Sequence, residues 1–258
     1  MIILKIKAID MFLARSESPE EWKAVSTAIS TLVEEATFEA TPQGINFRGM
    51  DPSHIALIDL NWPNTAFERY ECSEPIKIGV KIEDLVKFIK RASSKDKVEL
   101  EIKENTLLIK LFNSYKREYL LHLIEPYSTS TPLPKVPLNS KIVIKTKSLE
   151  KLLDDIQVVS ETVTLTTTKD QLLLEGQGDA GVAKVIVDKT NEDLISIDIK
   201  EESSSTYSLS HLIDVISALS SVSENVTLEY SSKMPIKLNF KIGPYGIDFN
   251  YYLAPRIE

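Results

Sequence analysis

The chain has 258 residues, of which 43% are hydrophobic and 26% are charged, and its formal net charge is −8. This length fits two domains of ordinary size, and no apolar run approaches the roughly 20 residues that a membrane-spanning helix needs. The negative charge excludes a protein that coats nucleic acid over its whole surface, because neutralising phosphates requires an excess of Lys and Arg.

The N-terminal region predicts a strand followed by a helix. Residues 1–7 alternate like a strand and lack the apolar stretch and cleavage site of a signal peptide, so we expect an intracellular protein. Ser18 then suits an N-cap, with Pro19 at the first helical position and Glu21 three residues after the cap. The apolar residues that follow recur every three to four positions, as on one buried helix face: Trp22, Val25, Ile29, Leu32, Val33 and Ala36.

Three more helices and a series of short strands are predicted further along the chain. The helical spacing of apolar residues recurs at residues 82–92, 149–159 and 208–219. Alternating or β-branched segments predict the strands, which are short and closely spaced and therefore indicate antiparallel sheets. They lie at residues 44–50, 54–60, 76–80, 98–102, 107–112, 115–124, 163–167, 172–175, 182–187, 195–199, 226–230, 236–241 and 247–253.

The two halves of the chain follow the same pattern at an offset near 128. Residues 44–49 match 171–176, residues 85–89 match 212–216, and residues 97–102 match 225–230 in their apolar positions. Low identity with a shared pattern is typical of a duplicated folding unit. The proline-rich segment between the halves predicts a surface connector. We therefore expect domains at residues 1–124 and 139–258, joined by a connector at 125–138.

No segment predicts an enzyme or a metal site with any specificity. Gly176, Gly178 and Gly181 match the spacing of a dinucleotide-binding loop, and Glu201 lies where a ribose-binding acid would be expected. A nucleotide-dependent enzyme stays open as a hypothesis that fails if no helix follows Gly181; residues 182–187 instead predict a glycine-rich hairpin. The histidines lie far apart and Cys72 is the single cysteine, so no metal site and no disulfide are expected.

Two surfaces invite a functional interpretation, and each has a simpler alternative. Lys87, Lys90 and Arg91 form a locally basic helix face, which suits phosphate contact or an ordinary solvated face with a Glu83–Lys87 pair. The segment at residues 115–123 carries charges of the kind that protect an edge strand, yet an edge can also be completed by another subunit.

Three motifs in order resemble the proliferating cell nuclear antigen family of DNA sliding clamps. The run at residues 32–58 closely resembles that family's N-terminal domain, and so do residues 78–80 and the closing residues 251–258. The resemblance covers almost the whole chain. It implies an α+β clamp fold of two similar domains, each with two helices packed on antiparallel sheets. It also implies a ring of three chains with helices lining a hole around duplex DNA, no catalysis and no cofactor.

The resemblance assigns residues to three surfaces. DNA would face Lys23, Lys87, Lys90, Arg91 and Lys151. Neighbouring subunits would pair the strand at residues 115–123 with the strand at 182–188, through Tyr115, Arg117, Tyr119, Leu121, Val182, Lys184 and Ile186. A pocket beneath the connector would take an aliphatic and an aromatic anchor of a partner peptide, between Met50, His54, Ile55, Leu133, Pro134, Pro235, Tyr252, Leu253, Ala254 and Pro255.

Partners expected from the resemblance are a replicative polymerase, a flap endonuclease, a DNA ligase and an ATP-dependent clamp loader. The expected compartment is the nucleoid region of an archaeal cytoplasm, or the nucleus in a eukaryote.

The helices are less basic than the family pattern. Ala24, Ser30, Asp154 and Ala218 stand where further Lys or Arg would be expected. A homotrimer and a heterotrimer therefore both stay open, and so does a clamp-shaped adaptor subunit of a heteromeric ring that contributes little DNA contact itself.

Overall fold

The computed structural model describes residues 12–127, 131–135 and 138–257. The strand predicted at residues 1–7 and the C-terminal Glu258 lie outside this described part, as do residues 128–130 and 136–137 of the connector. The helices of the described part are α1 (Glu20–Ser30), α2 (Ile82–Ile89), α3 (Thr146–Gln157) and α4 (Leu209–Leu219). None of these four is long and apolar enough to cross a membrane.

Eighteen strands accompany the helices within the described residues. Those of the first half are β1 (Phe12–Ser16), β2 (Glu35–Thr41), β3 (Gly44–Met50), β4 (Ala56–Pro63), β5 (Arg69–Cys72), β6 (Ile76–Lys81), β7 (Lys97–Lys103), β8 (Thr106–Phe112) and β9 (Lys116–His122). Those of the second half are β10 (Ser140–Lys145), β11 (Thr162–Thr167), β12 (Gln171–Gly178), β13 (Gly181–Asp188), β14 (Leu194–Ile199), β15 (Ser203–Ser208), β16 (Asn225–Tyr230), β17 (Ile236–Ile242) and β18 (Ile247–Leu253).

The first helix begins close to its predicted start but ends early. The Ser18 hydroxyl accepts a hydrogen bond from the Glu20 N–H at 3.1 Å, so Ser18 does serve the helix start. The helix ends at Ser30, and Ala36 lies on β2 although it continues the apolar spacing. Helical and strand spacings coincide over short apolar runs, which explains the error.

The strands form three antiparallel sheets whose order repeats. A five-stranded sheet runs β5-β1-β7-β8-β9, and a four-stranded sheet runs β13-β12-β11-β15. The nine-stranded sheet runs β14-β10-β16-β17-β18-β4-β3-β2-β6, which is one five-stranded and one four-stranded unit joined edge to edge. Each half of the chain therefore folds into one unit of each kind, and the predicted duplication is confirmed.

The two halves meet where β18 pairs with β4. This joint aligns Tyr251 with Ile58 and Leu253 with Ala56 in one continuous ladder. By strand order, β9 is the counterpart of β18, and β13 is the counterpart of β4. Strands β9 and β13 therefore hold the positions that β18 and β4 hold at the joint, but both lie at open sheet edges.

All four helices lie in one layer. Helix α1 packs against α2 and α4, and α3 packs against α4, so the row runs α2-α1-α4-α3. Their apolar faces, including Trp22, Leu85, Leu149 and Leu212, belong to one buried cluster that continues through both halves. Because burial of this face holds each helix against the sheets, the opposite, polar face of the row is left outward.

Candidate functional site

The positive charge of the helix row is most concentrated at its α2 end. Lys87, Lys90 and Arg91 are exposed at the end of α2. Lys87 bonds to Asp84 at 3.0 Å rather than to the predicted Glu83, and this hydrogen bond raises the pKa of Lys87. Both partners are well exposed, so the pair contributes little to stability and leaves Lys87 available to a phosphate.

The other three helices add little positive charge. On α1, Lys23 is half-buried and pairs with Glu20 at 3.1 Å. On α3, Lys147 and Lys151 are exposed but are accompanied by exposed Asp154 and Asp155. Helix α4 contains no Lys or Arg. All five predicted DNA-facing residues lie on or directly after helices of this row, with α2 as the basic end.

Strand β9 is anchored to α2 through the residues that face the helix layer. The ring of Tyr119 stacks on Phe88 with centroids 5.1 Å apart. The Arg117 guanidinium donates to the Arg91 carbonyl oxygen at 2.8 Å and also pairs with the buried carboxylate of Asp96. Predicted interface residue Leu121 is buried in the core of its own subunit. These side chains therefore fix the edge in place rather than reach outward.

Burial and hydrogen bonding act in opposite directions on Asp96. Burial alone would raise the pKa of its carboxyl group. The Ser93 N–H and the Arg117 guanidinium both donate to the carboxylate and outweigh burial, so the pKa lies below its usual range. The charged pair is thus a fixed part of the junction between α2 and β9.

The outward side chains of the two edges are strongly exposed. Leu120 on β9 is 59% exposed, and Val182 on β13 is 61% exposed. Ile186 on β13 and Tyr115 just before β9 are also exposed large hydrophobic residues. Leu120 was missed from the sequence, although alternation along residues 115–123 would have placed it on the same face as Glu118.

The loop before β4 is built around one buried carboxylate. Asp51 Oδ1 accepts from the N–H groups of Ile55 at 2.8 Å and Ala56 at 2.7 Å, and Oδ2 accepts from that of Ser53 at 3.0 Å. His54 adopts a left-handed backbone with φ of 59°, and β4 begins only at Ala56. The strand predicted at residues 54–60 therefore begins two residues too early, because the Asp51 carboxylate holds residues 51–55 in a turn, and the observed strand continues to Pro63.

The C-terminal segment lies beside this loop. The Ala254 N–H donates to the Ile55 carbonyl oxygen at 2.8 Å, which brings two of the predicted pocket segments together. Tyr252, Ala254 and Pro255 are half-buried, whereas the Leu253 side chain is buried in the core and lines no open surface. Three more residues of the predicted pocket set are also half-buried: Met50, Pro134 and Pro235.

The connector crosses the outer face of the β2-β3-β4 unit. The Tyr127 hydroxyl donates to the Glu35 carbonyl oxygen on β2, and Arg48 Nη1 donates to the Thr131 carbonyl oxygen at 3.5 Å. Leu133 follows two residues later and is half-buried. A polar groove of about 390 Å³ is lined by Tyr127, Arg48 and Asp59, among others, and none of the residues of the predicted pocket line it.

Gly176, Gly178 and Gly181 allow close packing of β12 and form the hairpin between β12 and β13. Gly178 ends β12, Gly181 begins β13, and no helix follows. A Cβ on Gly178 would lie 1.9 Å from the Val159 carbonyl oxygen, and one on Gly176 would lie 2.4 Å from Ile156 Cγ2. These glycines let β12 approach the end of α3, so the nucleotide-dependent enzyme hypothesis is wrong. Among the described residues, no cluster of three or more His, Cys, Asp or Glu side chains could hold a metal ion.

Two family models match the chain. Residues 11–124 match the N-terminal domain of proliferating cell nuclear antigen, and residues 133–256 match its C-terminal domain. The DNA polymerase sliding clamp of Nitrosopumilus maritimus is 45% identical over 96% of this chain and 99% of its own length. The DNA polymerase sliding clamp of Pyrococcus furiosus is 31% identical over 94% of this chain and 97% of its own length.

Two solved structures have the same fold. The proliferating cell nuclear antigen of Thermococcus kodakaraensis matches with a TM-score of 0.90 at 23% identity, over 95% of this chain and all of that one. A chain in the PCNA2–PCNA3 complex of Sulfolobus tokodaii matches with a TM-score of 0.89 at 24% identity, with the same coverage.

Proposed function

The chain belongs to the proliferating cell nuclear antigen family, and we propose that three subunits close into a ring around duplex DNA. It is a DNA sliding clamp subunit, as its relatives are named. The observation that supports the ring is that the strands of the internal joint have counterparts at open sheet edges. Strands β18 and β4 already pair inside the chain, and their counterparts β9 and β13 lie at sheet edges. Pairing β9 with β13 of the next subunit repeats that joint and extends the helix row around a closed inner surface.

Such a ring holds DNA by topology rather than by tight contacts. Lys87, Lys90 and Arg91 would meet phosphates on the inner surface, together with Lys23 and Lys151. Phosphate contacts carry no sequence information, so the ring can slide while it stays linked to the duplex. A negative net charge is compatible with this mechanism, because only the inner surface needs to attract DNA.

Enzymes that act on DNA would bind the outer side. We expect a partner peptide to place an aliphatic and an aromatic anchor between the Asp51 loop, the connector and the C-terminal segment. A tethered polymerase, flap endonuclease or ligase then works at a high effective concentration near its substrate. Opening the ring requires a separate ATP-dependent loader, and the clamp itself performs no chemistry. In an archaeal cell, as its relatives suggest, this work belongs in the nucleoid.

Retention on DNA of different topology tests the ring. The clamp, loaded on closed circular DNA, should stay bound through extended washing and should leave once the same DNA is cut. Equal retention on circular and linear DNA would contradict encirclement.

A clamp-shaped adaptor is the second candidate function. The absence of Lys and Arg from α4 and the exposed carboxylates of α3 favour it. An adaptor subunit would show equally weak retention on both forms of DNA unless other subunits supplied the basic surface.

A further inference from the structure

Charged side chains of alternating sign form a row across the outer face of the five-stranded sheet. The ladder aligns Arg15 on β1 with Glu99 on β7, then Lys110 on β8, then Glu118 on β9. Arg15 Nε and Lys110 Nζ each lie 2.7 Å from a carboxylate oxygen of Glu99, which is nearly fully buried. The row ends on an acidic residue at the open edge of β9.

A shorter row, made of one ion pair, ends at the other edge. Lys184 on β13 is aligned with Glu175 on β12, and their charged atoms lie 3.8 Å apart. This row ends on a basic residue at the open edge of β13. At these two positions the open edges of one chain present opposite charges.

The internal joint determines which residues would meet if the edges paired. Thr227, Asn239 and Asn250 are aligned across β16, β17 and β18. In the first half, Glu99, Lys110 and Glu118 are aligned in the same way across β7, β8 and β9. Thr227 matches Glu99 at the repeat offset, so Asn250 and Glu118 are counterparts.

The same reasoning applies to the other side of the joint. Arg48 on β3 is aligned with Asp59 on β4, and Glu175 on β12 is aligned with Lys184 on β13. Arg48 and Glu175 occupy the same position of the repeat. Asp59 and Lys184 are therefore counterparts. Asn250 lies directly opposite Asp59 in the internal joint. At the repeated joint, Glu118 lies opposite Lys184.

We propose that Glu118 pairs with Lys184 of a second copy of this chain, so that the two rows join into one ladder of alternating charge across each subunit boundary. This inference rests on the proposed ring and specifies one contact at its subunit boundary: the two open edges of this chain fit each other at these positions. The same register places Leu120 opposite Val182, two exposed apolar side chains that would cover each other.

The pair acts on partner choice more than on raw affinity. Glu118 is half-exposed and already bonds to Lys116 at 2.6 Å on its own strand, so its contribution is that of a partly solvated ion pair. A like charge directly opposite would instead repel. The boundary therefore accepts a β13 edge that carries a cation at this position, and this chain carries one.

Charge exchange tests the pair. Glu118→Lys and Lys184→Glu should each weaken trimer formation roughly tenfold per boundary, because each places like charges opposite one another. The double variant, with both changes in one chain, restores opposite charges and should recover most of the loss. The measurement is the trimer-to-monomer midpoint by sedimentation or light scattering. Single variants without effect, or a double variant as weak as the two losses combined, would overturn the pairing.

Crosslinking tests the register. In a Cys72→Ser background, Leu120→Cys with Val182→Cys should form covalent trimers on oxidation, since directly opposite side chains lie about 5 Å apart. The matched control, Leu120→Cys with Ile186→Cys, is displaced by four residues, or about 13 Å, and should not crosslink. Crosslinking of the control alone would overturn the register. A parent chain that remains monomeric would overturn homotypic closure. If trimers stay on circular DNA but the charge-exchange variants assemble as the parent chain does, the ladder is wrong and the ring still stands.

Discussion

At the scale of single residues, the Asp51 carboxylate organises the proposed partner pocket. Its three acceptor contacts hold the turn that presents His54 and Ile55. Asp51→Ala leaves these N–H groups without an acceptor, so we expect a loss of about 2 kcal/mol in the free energy of unfolding and weaker partner-peptide binding. Denaturant titration and calorimetry with a partner peptide would measure both.

Two variants make the Asp51 test specific. Asp51→Asn keeps one acceptor oxygen and should retain part of the stability. A double change of Leu133 and Tyr252 to Ala should reduce peptide binding with little effect on trimer formation. Peptide affinity unchanged in both Asp51→Ala and the double variant would exclude this pocket.

The Asp96–Arg117 pair predicts a pH dependence of stability. A carboxyl group whose folded pKa is depressed stabilises the folded state above its unfolded pKa, and this contribution is lost as pH falls through the folded pKa. The loss should therefore occur below about pH 4, where Asp begins to protonate. Asp96→Asn should be less stable at pH 7 and should lose less on acidification than the parent chain. Parallel stability curves from pH 7 to pH 3 would contradict this role.

Some site residues were accessible from the sequence and others were not. Lys87, Lys90 and Arg91 share a helix face, so simple periodicity finds them. Alternation places Leu120 and Glu118 on one face of β9, but that this face lies outward at an open edge depends on sheet order and not on local pattern. Asp51 resembles any turn-forming Asp until its three backbone donors are in view.

At the scale of elements, α2 and the two residues after it hold the densest cluster of positive charge in the helix row. Replacing Lys87, Lys90 and Arg91 together by Ala should weaken DNA binding at low salt and make its salt dependence shallower, because fewer counterions are released. A matched control removes three exposed cations that lie off the helices: Lys141, Lys169 and Lys200. Binding titrations at several salt concentrations provide the measurement. An equal effect of both triple variants would indicate nonspecific charge rather than an inner surface.

The elements that are predicted correctly from the sequence have regularly spaced apolar residues. Strands β3 and β18 match their predicted bounds, and α4 begins one residue from its predicted start. Strand β15 was missed because five of its six residues are Ser or Thr, whose hydroxyls pair with those of β11: Thr206 with Thr164 and Ser204 with Thr166. Cross-strand hydroxyl pairs stabilise a strand without any apolar signal.

At the scale of the whole molecule, one duplicated unit explains both the fold and the assembly. The pairing of β18 with β4 buries an edge inside the chain, and the proposed pairing of β9 with β13 would repeat it between chains. The same repeat orders the helices, so closing the ring would bring α2, with its cations, beside α3 of the next subunit, with Asp154 and Asp155. Attraction between these ends would favour closure of the ring.

Encirclement of DNA is tested by locking the ring covalently around a closed circle. The Leu120→Cys, Val182→Cys chain would be loaded on closed circular DNA, oxidised, and treated with denaturant to remove every noncovalent contact. We predict that the covalent trimer stays linked to the intact circle and is released when that circle is cut once. Loss of the crosslinked protein from the uncut circle would contradict encirclement of DNA by three copies of this chain.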